Sequence, residues 1–177
     1  QFADDLTPDG QWLVLAERDS KTGYNLRRLA ADGSGAPVDL LSTPFNELNS
    51  DLSPDGRWIA YQSDESGRFE VYVRPYPDVN GGRWQVSATG GTRPLWGRDG
   101  RELFFLDTSR RMLAVAAQHA PVMSFGTPRT LFETAQLGLE GQQRNFDLSP
   151  DGTRFLMVRN LPPPAGVPAV VLIQNWF

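Results

Sequence analysis

The chain of 177 residues contains no cysteine and one histidine, His119. Without cysteine neither a disulfide nor a thiolate metal site can form, and a metal centre built from several histidines is excluded by count. A serine-hydrolase centre would have to use His119, yet no Gly-x-Ser-x-Gly elbow accompanies it. We therefore predict no catalytic residue, metal or cofactor in this segment, and we interpret His119 as an exposed loop residue.

Long apolar runs and an excess of basic charge are also missing. No run approaches the roughly 18 residues that a membrane-spanning helix needs. The formal net charge of -4 is the opposite of the basic footprint that nucleic acid requires. We predict neither a membrane span nor a nucleic-acid partner. Because the chain lacks an initiator methionine, we expect a piece of a longer protein.

Turn residues, in contrast, are abundant and are arranged in repeats. One hexapeptide occurs in three near copies and in a fourth that lacks the proline, at Asp5–Gly10, Asp51–Gly56, Asp147–Gly152 and Leu95–Gly100. The turn aspartates Asp9, Asp55, Asp99 and Asp151 follow one another at intervals of 46, 44 and 52 residues. Proline presets φ at such a corner, and glycine accepts the positive φ of a turn that closes into a bulge. The period is typical of a four-stranded propeller blade.

Alternating apolar runs follow each turn and predict strands. Second strands are predicted to begin at Trp12, Trp58, Glu102 and Arg154, and third strands at Tyr24, Phe69, Met112 and Ala169. The alanines after Met112 favour a helix, but their place in the repeat predicts a strand. The predicted fold is all-β, a β-propeller of four repeats of four-stranded blades at approximately 1–42, 43–89, 90–134 and 143–177.

The last predicted blade is incomplete. A second strand, the proline-rich link Leu161–Gly166 and a third strand ending near Phe177 follow its turn, and no fourth strand follows. An unpaired edge as apolar as Val170–Ile173 would invite aggregation. We expect missing upstream blades, or else a second chain, to close the ring, and we favour a larger propeller of six or more blades.

The stretch Leu52–Tyr61, followed by Glu70–Val73, resembles the WD-repeat-like repeats of TolB-type β-propellers. Leu6–Leu15 and Leu148–Val158 resemble them as well, whereas Trp96–Leu106 departs by losing serine and proline. The resemblance implies a protein or peptide partner and an extracytoplasmic, periplasmic location. The ending Asn175-Trp176-Phe177 is similar to that of propellers carried C-terminally by bacterial receptor-like serine/threonine kinases and related regulators.

The repeated aspartates Asp5, Asp51 and Asp147 raise the question of calcium, because hard cations prefer carboxylate oxygens. Since they occupy equivalent positions of different blades, we expect them to lie apart around the ring rather than converge. We favour a structural role in which each aspartate caps its turn or binds backbone amides beside the corner.

Residues two positions before these aspartates, and before Leu95 at the equivalent position of the third repeat, are predicted to lie on innermost strands, facing the channel or the neighbouring blade. The polar ones, Asn49, Arg93 and Asn145, are the candidate binding residues, although a water-filled channel would use them as well. The large aromatic residues on strands are predicted to pack between blades; they are Trp12, Trp58, Trp84, Trp96, Phe104, Phe105 and Phe155.

The leading functional hypothesis is a non-catalytic interaction or sensing module that binds a protein or peptide. Rigid β scaffolds with variable loops suit that use, although fold alone does not prove it. One alternative is the accessory propeller of a prolyl-oligopeptidase-type serine peptidase. Another is a carbohydrate-binding propeller, in which binding would depend on surface tryptophans.

Overall fold

The computed structural model describes residues 2–119, 122–134, 143–158 and 171–172. Within these ranges the chain forms β-strands and turns, and the strands make four antiparallel sheets that follow one another along the sequence. No helix occurs among the described residues, and so none there is long and apolar enough to cross a membrane. The prediction of an all-β chain of propeller blades is confirmed.

The first two sheets each contain four strands in sequence order. The first consists of β1 (Phe2–Leu6), β2 (Trp12–Asp19), β3 (Gly23–Ala30) and β4 (Val38–Leu41). The second consists of β5 (Glu47–Leu52), β6 (Trp58–Ser63), β7 (Glu70–Pro75) and the short β8 (Trp84–Gln85).

The third and fourth sheets repeat this plan with differences. The third is built from β9 (Thr92–Trp96), β10 (Glu102–Leu106), β11 (Arg111–Gln118) and β13 (Arg129–Glu133), and β12 (Ser124–Phe125) pairs with the end of β11. The alanine-rich β11 is thus a strand, as its place in the repeat predicts. The described part of the fourth sheet consists of β14 (Phe146–Leu148), β15 (Phe155–Met157) and β16 (Val171–Leu172).

Several sequence predictions concern residues outside the described ranges. They are the proline-rich link 161–166, most of the third strand predicted from residue 169, and the ending 175–177. We retain 1–42, 43–89, 90–134 and 143–177 as proposed blade limits, and the ring of six or more blades stays a prediction.

The four Asp-Gly turns share one geometry. Their glycines, Gly10, Gly56, Gly100 and Gly152, have φ of 70°, 67°, 70° and 71°. In the second sheet the Ser53 hydroxyl donates to Asp55 Oδ1 at 2.6 Å and accepts from the Trp58 amide at 3.0 Å. Thr7 and Ser149 have the corresponding hydroxyl contacts in the first and fourth repeats. The turn therefore fixes the entry into each second strand.

The hydrophobic cores lie between neighbouring sheets. Val14, Leu26 and Tyr61 belong to the core between the first and second sheets, and Phe104 and Phe155 to the core between the third and fourth. The core between the second and third sheets contains Trp58, Trp84, Trp96 and Phe105. Of the aromatic residues predicted to pack between blades, Trp12 differs, because it joins none of these cores and lies half-buried under the Arg28 guanidinium.

His119 directly follows a strand, as predicted, but the prediction that it is exposed is wrong. Its ring is half-buried, with its centroid 6.2 Å from that of Trp58 and 6.0 Å from that of Trp96. Its Nε2 lies 2.7 Å from the carbonyl oxygen of Gly100. Because β11 continues to Gln118, it carries His119 along the interface between two sheets.

Candidate binding site at the channel mouth

The first strand of each sheet lies at that sheet's edge, and β1 contacts β5 as β5 contacts β9. These innermost strands surround the space that we call the channel. The channel mouth is the end at which the innermost strands run into their Asp-Gly turns. Residues at equivalent positions of these strands therefore approach one another there.

A β-bulge interrupts each of the first three innermost strands. The pairing register shifts between Ala3 and Asp5 in β1, between Leu48 and Asp51 in β5, and opposite Phe104–Leu106 in β9. Asn49 and Arg93 have positive φ, 52° and 55°, beside the latter two bulges. Because a bulge places an extra residue on one strand, it re-aims the side chains that follow it.

The aspartates after the bulges bind backbone amides of the next innermost strand. Asp5 Oδ2 accepts from the amide of Leu52 at 2.7 Å, and Asp51 Oδ2 accepts from the amide of Trp96 at 2.6 Å. The predicted binding of backbone amides is thus confirmed for Asp5 and Asp51, with the difference that these amides belong to the neighbouring blade. These contacts join adjacent blades at the channel.

Asp5, Asp51 and Asp147 converge on one cavity of about 200 Å³ at the channel mouth. The expectation that they would lie apart is therefore wrong. Equivalent positions on innermost strands face a common axis, and the described part of the channel is narrow enough for their charges to interact. In the described part of the chain, no group of three or more acidic or histidine side chains is placed to hold a metal ion.

Two arginines share this cavity. Arg144 Nη1 lies 2.7 Å from Asp51 Oδ1 and also donates to the carbonyl oxygen of Pro94 at 2.8 Å. Arg98 Nη2 lies 3.1 Å from Asp147 Oδ1 and donates to the Leu148 carbonyl oxygen at 2.5 Å. Arg144 thus joins β5 and β9, whereas Arg98 contacts two neighbouring groups of β14.

Burial sets the electrostatics of the cavity. It raises the pKa of Asp51 to about 7, although the adjacent Arg144 guanidinium opposes this shift. Burial also raises the pKa of Asp4 and Asp5, and the amides and hydroxyl that donate to them act in the opposite direction. The cavity is lined by three carboxylates and two guanidinium groups, so ionisation of all the carboxylates leaves one negative charge in excess.

Two of the predicted binding residues, Asn49 and Arg93, form hydrogen bonds with the same side chain, that of Gln62. Asn49 Nδ2 donates to Gln62 Oε1 at 3.0 Å, and the backbone amide of Arg93 donates to the same oxygen at 2.9 Å. Both residues are buried, and burial lowers the pKa of Arg93. Asn49 Oδ1 accepts from the amide of Arg144 at 2.8 Å. Asn145, the next residue, is half-buried. Ligand binding by Asn49, Arg93 and Asn145 stays a prediction.

Sequence reasoning missed Arg98, Arg144 and Gln62. The sequence did contain an indication for Arg98, because this arginine occupies the position at which the other three repeats have proline. Arg144 had none, since it lies before the hexapeptide that the repeats share. Gln62 lies on a second strand, and only the bulges of two first strands bring Asn49 and the Arg93 amide to it.

Comparisons with known proteins agree with this geometry. The crystal structure of TolB from Acinetobacter baumannii matches with a TM-score of 0.66 at 17% identity, covering 94% of this chain and 39% of that chain. A putative TolB from Agrobacterium tumefaciens matches with a TM-score of 0.65 at 21% identity, covering 89% and 57%. This chain has the TolB-like β-propeller fold. No family model matches the sequence.

The TolB-like fold also has relatives with other names. An uncharacterized protein of Agrobacterium fabrum is 29% identical over an alignment of 135 residues, and the match covers 73% of this chain and 45% of that protein. Enzymes occur among the solved structures, including prolyl endopeptidases and a periplasmic gluconolactonase of Pseudomonas aeruginosa, with TM-scores of 0.55 and 0.56. The chain therefore spans about half the length of the relatives that it matches, and these likenesses describe its fold.

Proposed function

We propose that this chain is a non-catalytic recognition module that binds a protein or peptide at the channel mouth. The observation that carries the proposal is the unequal number of acidic and basic side chains at the cavity, where Asp5, Asp51 and Asp147 face two guanidinium groups. Asp51 and Asp147 each have an arginine partner, whereas Asp5 is held by the amides of Leu6 and Leu52. A cationic group of a partner would provide the counter-charge that Asp5 lacks.

The size and rigidity of the cavity support the same proposal. A volume of about 200 Å³ suits one side chain or a chain terminus of the partner. Because backbone amides already hold the carboxylates in place, these side chains lose little conformational entropy when a partner binds. Asp147, with its side chain 57% exposed, is accessible from outside. We infer a lysine or arginine side chain, or an amino terminus, as the anchoring group.

Resemblance to TolB-type propellers supports a protein or peptide as the partner and an extracytoplasmic location, which the similarity in fold to a periplasmic gluconolactonase also favours. The accessory propeller of a serine peptidase and the propeller of a receptor-like kinase stay predictions. They concern segments of a parent protein rather than the site described above.

Calorimetric titration with two acetylated, amidated pentapeptides tests the proposal. One peptide has a central lysine among glycines and serines, and its match has norleucine there. We expect the lysine peptide to bind and the norleucine peptide to bind at least about tenfold more weakly, because a hydrogen bond to a charged group contributes about 1.5–3 kcal/mol.

Asp5→Asn should abolish this preference for lysine, whereas Asp19→Asn, which changes an exposed turn away from the channel, should leave it intact. Equal binding of the two peptides, or a preference that survives Asp5→Asn, would contradict the proposal.

A further inference from the structure

A second cavity, which shares only Pro8 with the cavity at the channel mouth, lies between the first and second sheets. It has a volume of about 310 Å³, at the lower end of the range typical of small-molecule sites. Its walls are Thr7, Pro8, Asp9, Trp12 and Arg28 from the first sheet and Asp55, Gly56, Tyr76 and Pro77 from the second. Both walls belong to the described chain, so the cavity is bounded on both sides.

Trp12 in this cavity is the positional equivalent of Trp58 one blade later. Each begins a second strand, and each amide donates to the hydroxyl of the preceding turn, Thr7 at 2.9 Å and Ser53 at 3.0 Å. The surroundings of their rings differ. Trp58 packs edge-on against Trp84 with ring centroids 5.5 Å apart, inside a hydrophobic core.

The strand registers show what replaces that packing in the first sheet. Trp84 pairs with Val73 in the second sheet, and Val38 pairs with Arg28 at the corresponding place in the first. The Arg28 guanidinium lies over the Trp12 ring, 4.6 Å from its centroid, and Val38 is 51% exposed. The tryptophan at the start of the second strand is therefore enclosed by apolar residues in the second blade. In the first blade it borders the Arg28 guanidinium and the cavity.

The polar groups around this cavity have unused hydrogen-bonding capacity. Asp9 and Asp55 are exposed, each uses Oδ1 inside its own turn, and the described residues supply no partner to either Oδ2. The Tyr76 hydroxyl is buried beside the Arg28 guanidinium, which opposes the rise in its pKa that burial causes, although no hydrogen bond of ordinary geometry joins the two groups. A hydroxyl of a ligand would complete its hydrogen bonding, since buried hydroxyl groups normally have a partner. Arg28 has five N–H donors, so its place over Trp12 and beside Tyr76 leaves donors for a ligand.

We propose that this cavity binds a pyranose ring of a carbohydrate. Each sugar hydroxyl can donate to a carboxylate and accept from a guanidinium or a phenol, and this matches Asp9, Asp55, Arg28 and Tyr76 together. The apolar face of the ring would contact Trp12 and the two prolines. A proline-rich peptide, the other usual ligand of aromatic grooves, lacks the N–H donors that two aspartates require.

The test is titration of the intact chain with methyl α-glucopyranoside, methyl β-galactopyranoside and N-acetylglucosamine, followed by tryptophan fluorescence and saturation-transfer NMR. At least one sugar should bind. Asp9→Asn or Asp55→Asn should weaken it on the order of tenfold, because a charge-assisted hydrogen bond is lost. Tyr76→Phe, which removes only the hydroxyl, should weaken it less. Asp99→Asn is the matched control, since Asp99 has the same turn role in the third repeat outside this cavity.

Asparagine sustains the same turns, and unchanged thermal melts would verify that the variants fold. The proposal is overturned if none of the three sugars binds, or if Asp9→Asn and Asp55→Asn weaken binding no more than Asp99→Asn does. It is also overturned if decaproline binds and displaces the sugar. None of these outcomes bears on the channel mouth, which is tested with the lysine peptide.

Discussion

Two neighbouring blade interfaces of this chain share a backbone plan and differ in what fills them. Between the second and third sheets, Trp58 packs against Trp84 and His119 in a closed aromatic core. Between the first and second sheets, the equivalent Trp12 lies under Arg28 beside a cavity. The repeated turn thus fixes the position of the tryptophan at the start of its strand. The residues that pack against the indole then decide whether the interface is a closed core or contains a cavity.

The channel ends of the same two interfaces differ in a second way. Asp5 and Asp51 each bind an amide of the following innermost strand, at 2.7 and 2.6 Å. Only Asp51 also pairs with Arg144, which comes from a segment 93 residues further along the chain. The same contact between an aspartate and a backbone amide therefore occurs at both interfaces, but only that of Asp51 is joined by an arginine. Mutation of this arginine can thus distinguish the two interfaces.

The largest effect expected of a single substitution separates the two indoles. Trp58→Ala should lower the free energy of unfolding by about 3 kcal/mol, because it opens a cavity in a packed core. Trp12→Ala should cost about 1 kcal/mol, because its ring is half-buried and already borders a cavity. Urea unfolding of both variants measures the difference. Equal losses would show that the first interface is packed as tightly as the second.

A second prediction concerns pH. Burial raises the pKa of Glu47, at the start of β5, and of Asp51 to about 7. The folded chain therefore holds these protons more tightly than the unfolded chain, so the stabilisation is fully present below about pH 4 and is lost as the pH rises through 7. Lowering the pH from 8 to 5 should raise the free energy of unfolding by about 2 kcal/mol for each group.

Glu47→Gln should remove roughly half of that pH dependence, because glutamine can still accept from the Thr43 hydroxyl but does not titrate between pH 5 and 8. Glu133→Gln, at an exposed position, is the control and should leave the dependence unchanged. Urea midpoints measured at several pH values give the result. A midpoint of wild type that falls as the pH is lowered from 8 to 5 would be inconsistent with raised pKa values.

Removing Arg144 sharpens the comparison at the channel. Arg144→Met should destabilise the chain by about 1.5 kcal/mol at pH 8, where it leaves the buried Asp51 carboxylate without its cation. At pH 5 the loss should be much smaller, because a protonated Asp51 needs no counter-charge. Thermal melts at the two pH values check this, with Arg101→Met as an exposed control. A loss that is the same at both pH values would indicate a packing role for Arg144.

The smallest expected effect lies in the repeated turn. Ser53→Ala should cost about 1 kcal/mol, because it removes the hydroxyl that joins Asp55 to the Trp58 amide. The third repeat already has Gly97 at this position and forms the same turn, so the fold itself should persist. Urea unfolding with Ser34→Ala as an exposed control measures the cost. A loss above about 3 kcal/mol would mean that this turn differs from the third.

Much of the fold was predictable because its signals are local. The spacing of four Asp-Gly turns and the alternation of the strands between them predict the blades, and even the alanine-rich β11 follows its place in the repeat. The convergence of Asp5, Asp51 and Asp147 was missed, because position in a repeat shows which residues are equivalent and not how near they lie. The exposure of His119 was misjudged, because its burial depends on Trp58 and Trp96, which reach it only across packed sheets.

The sequence by itself determined the all-β repeat, the geometry of the corners and the pairing of strands within each blade, since these depend on residues that are neighbours along the chain. Tertiary structure alone decided which carboxylates share a cavity, that Arg144 reaches Asn49 and Asp51, and that one of two equivalent tryptophans borders a site. Such contacts join residues dozens of positions apart, and their energies depend on burial and distance, which exist only once the blades have packed.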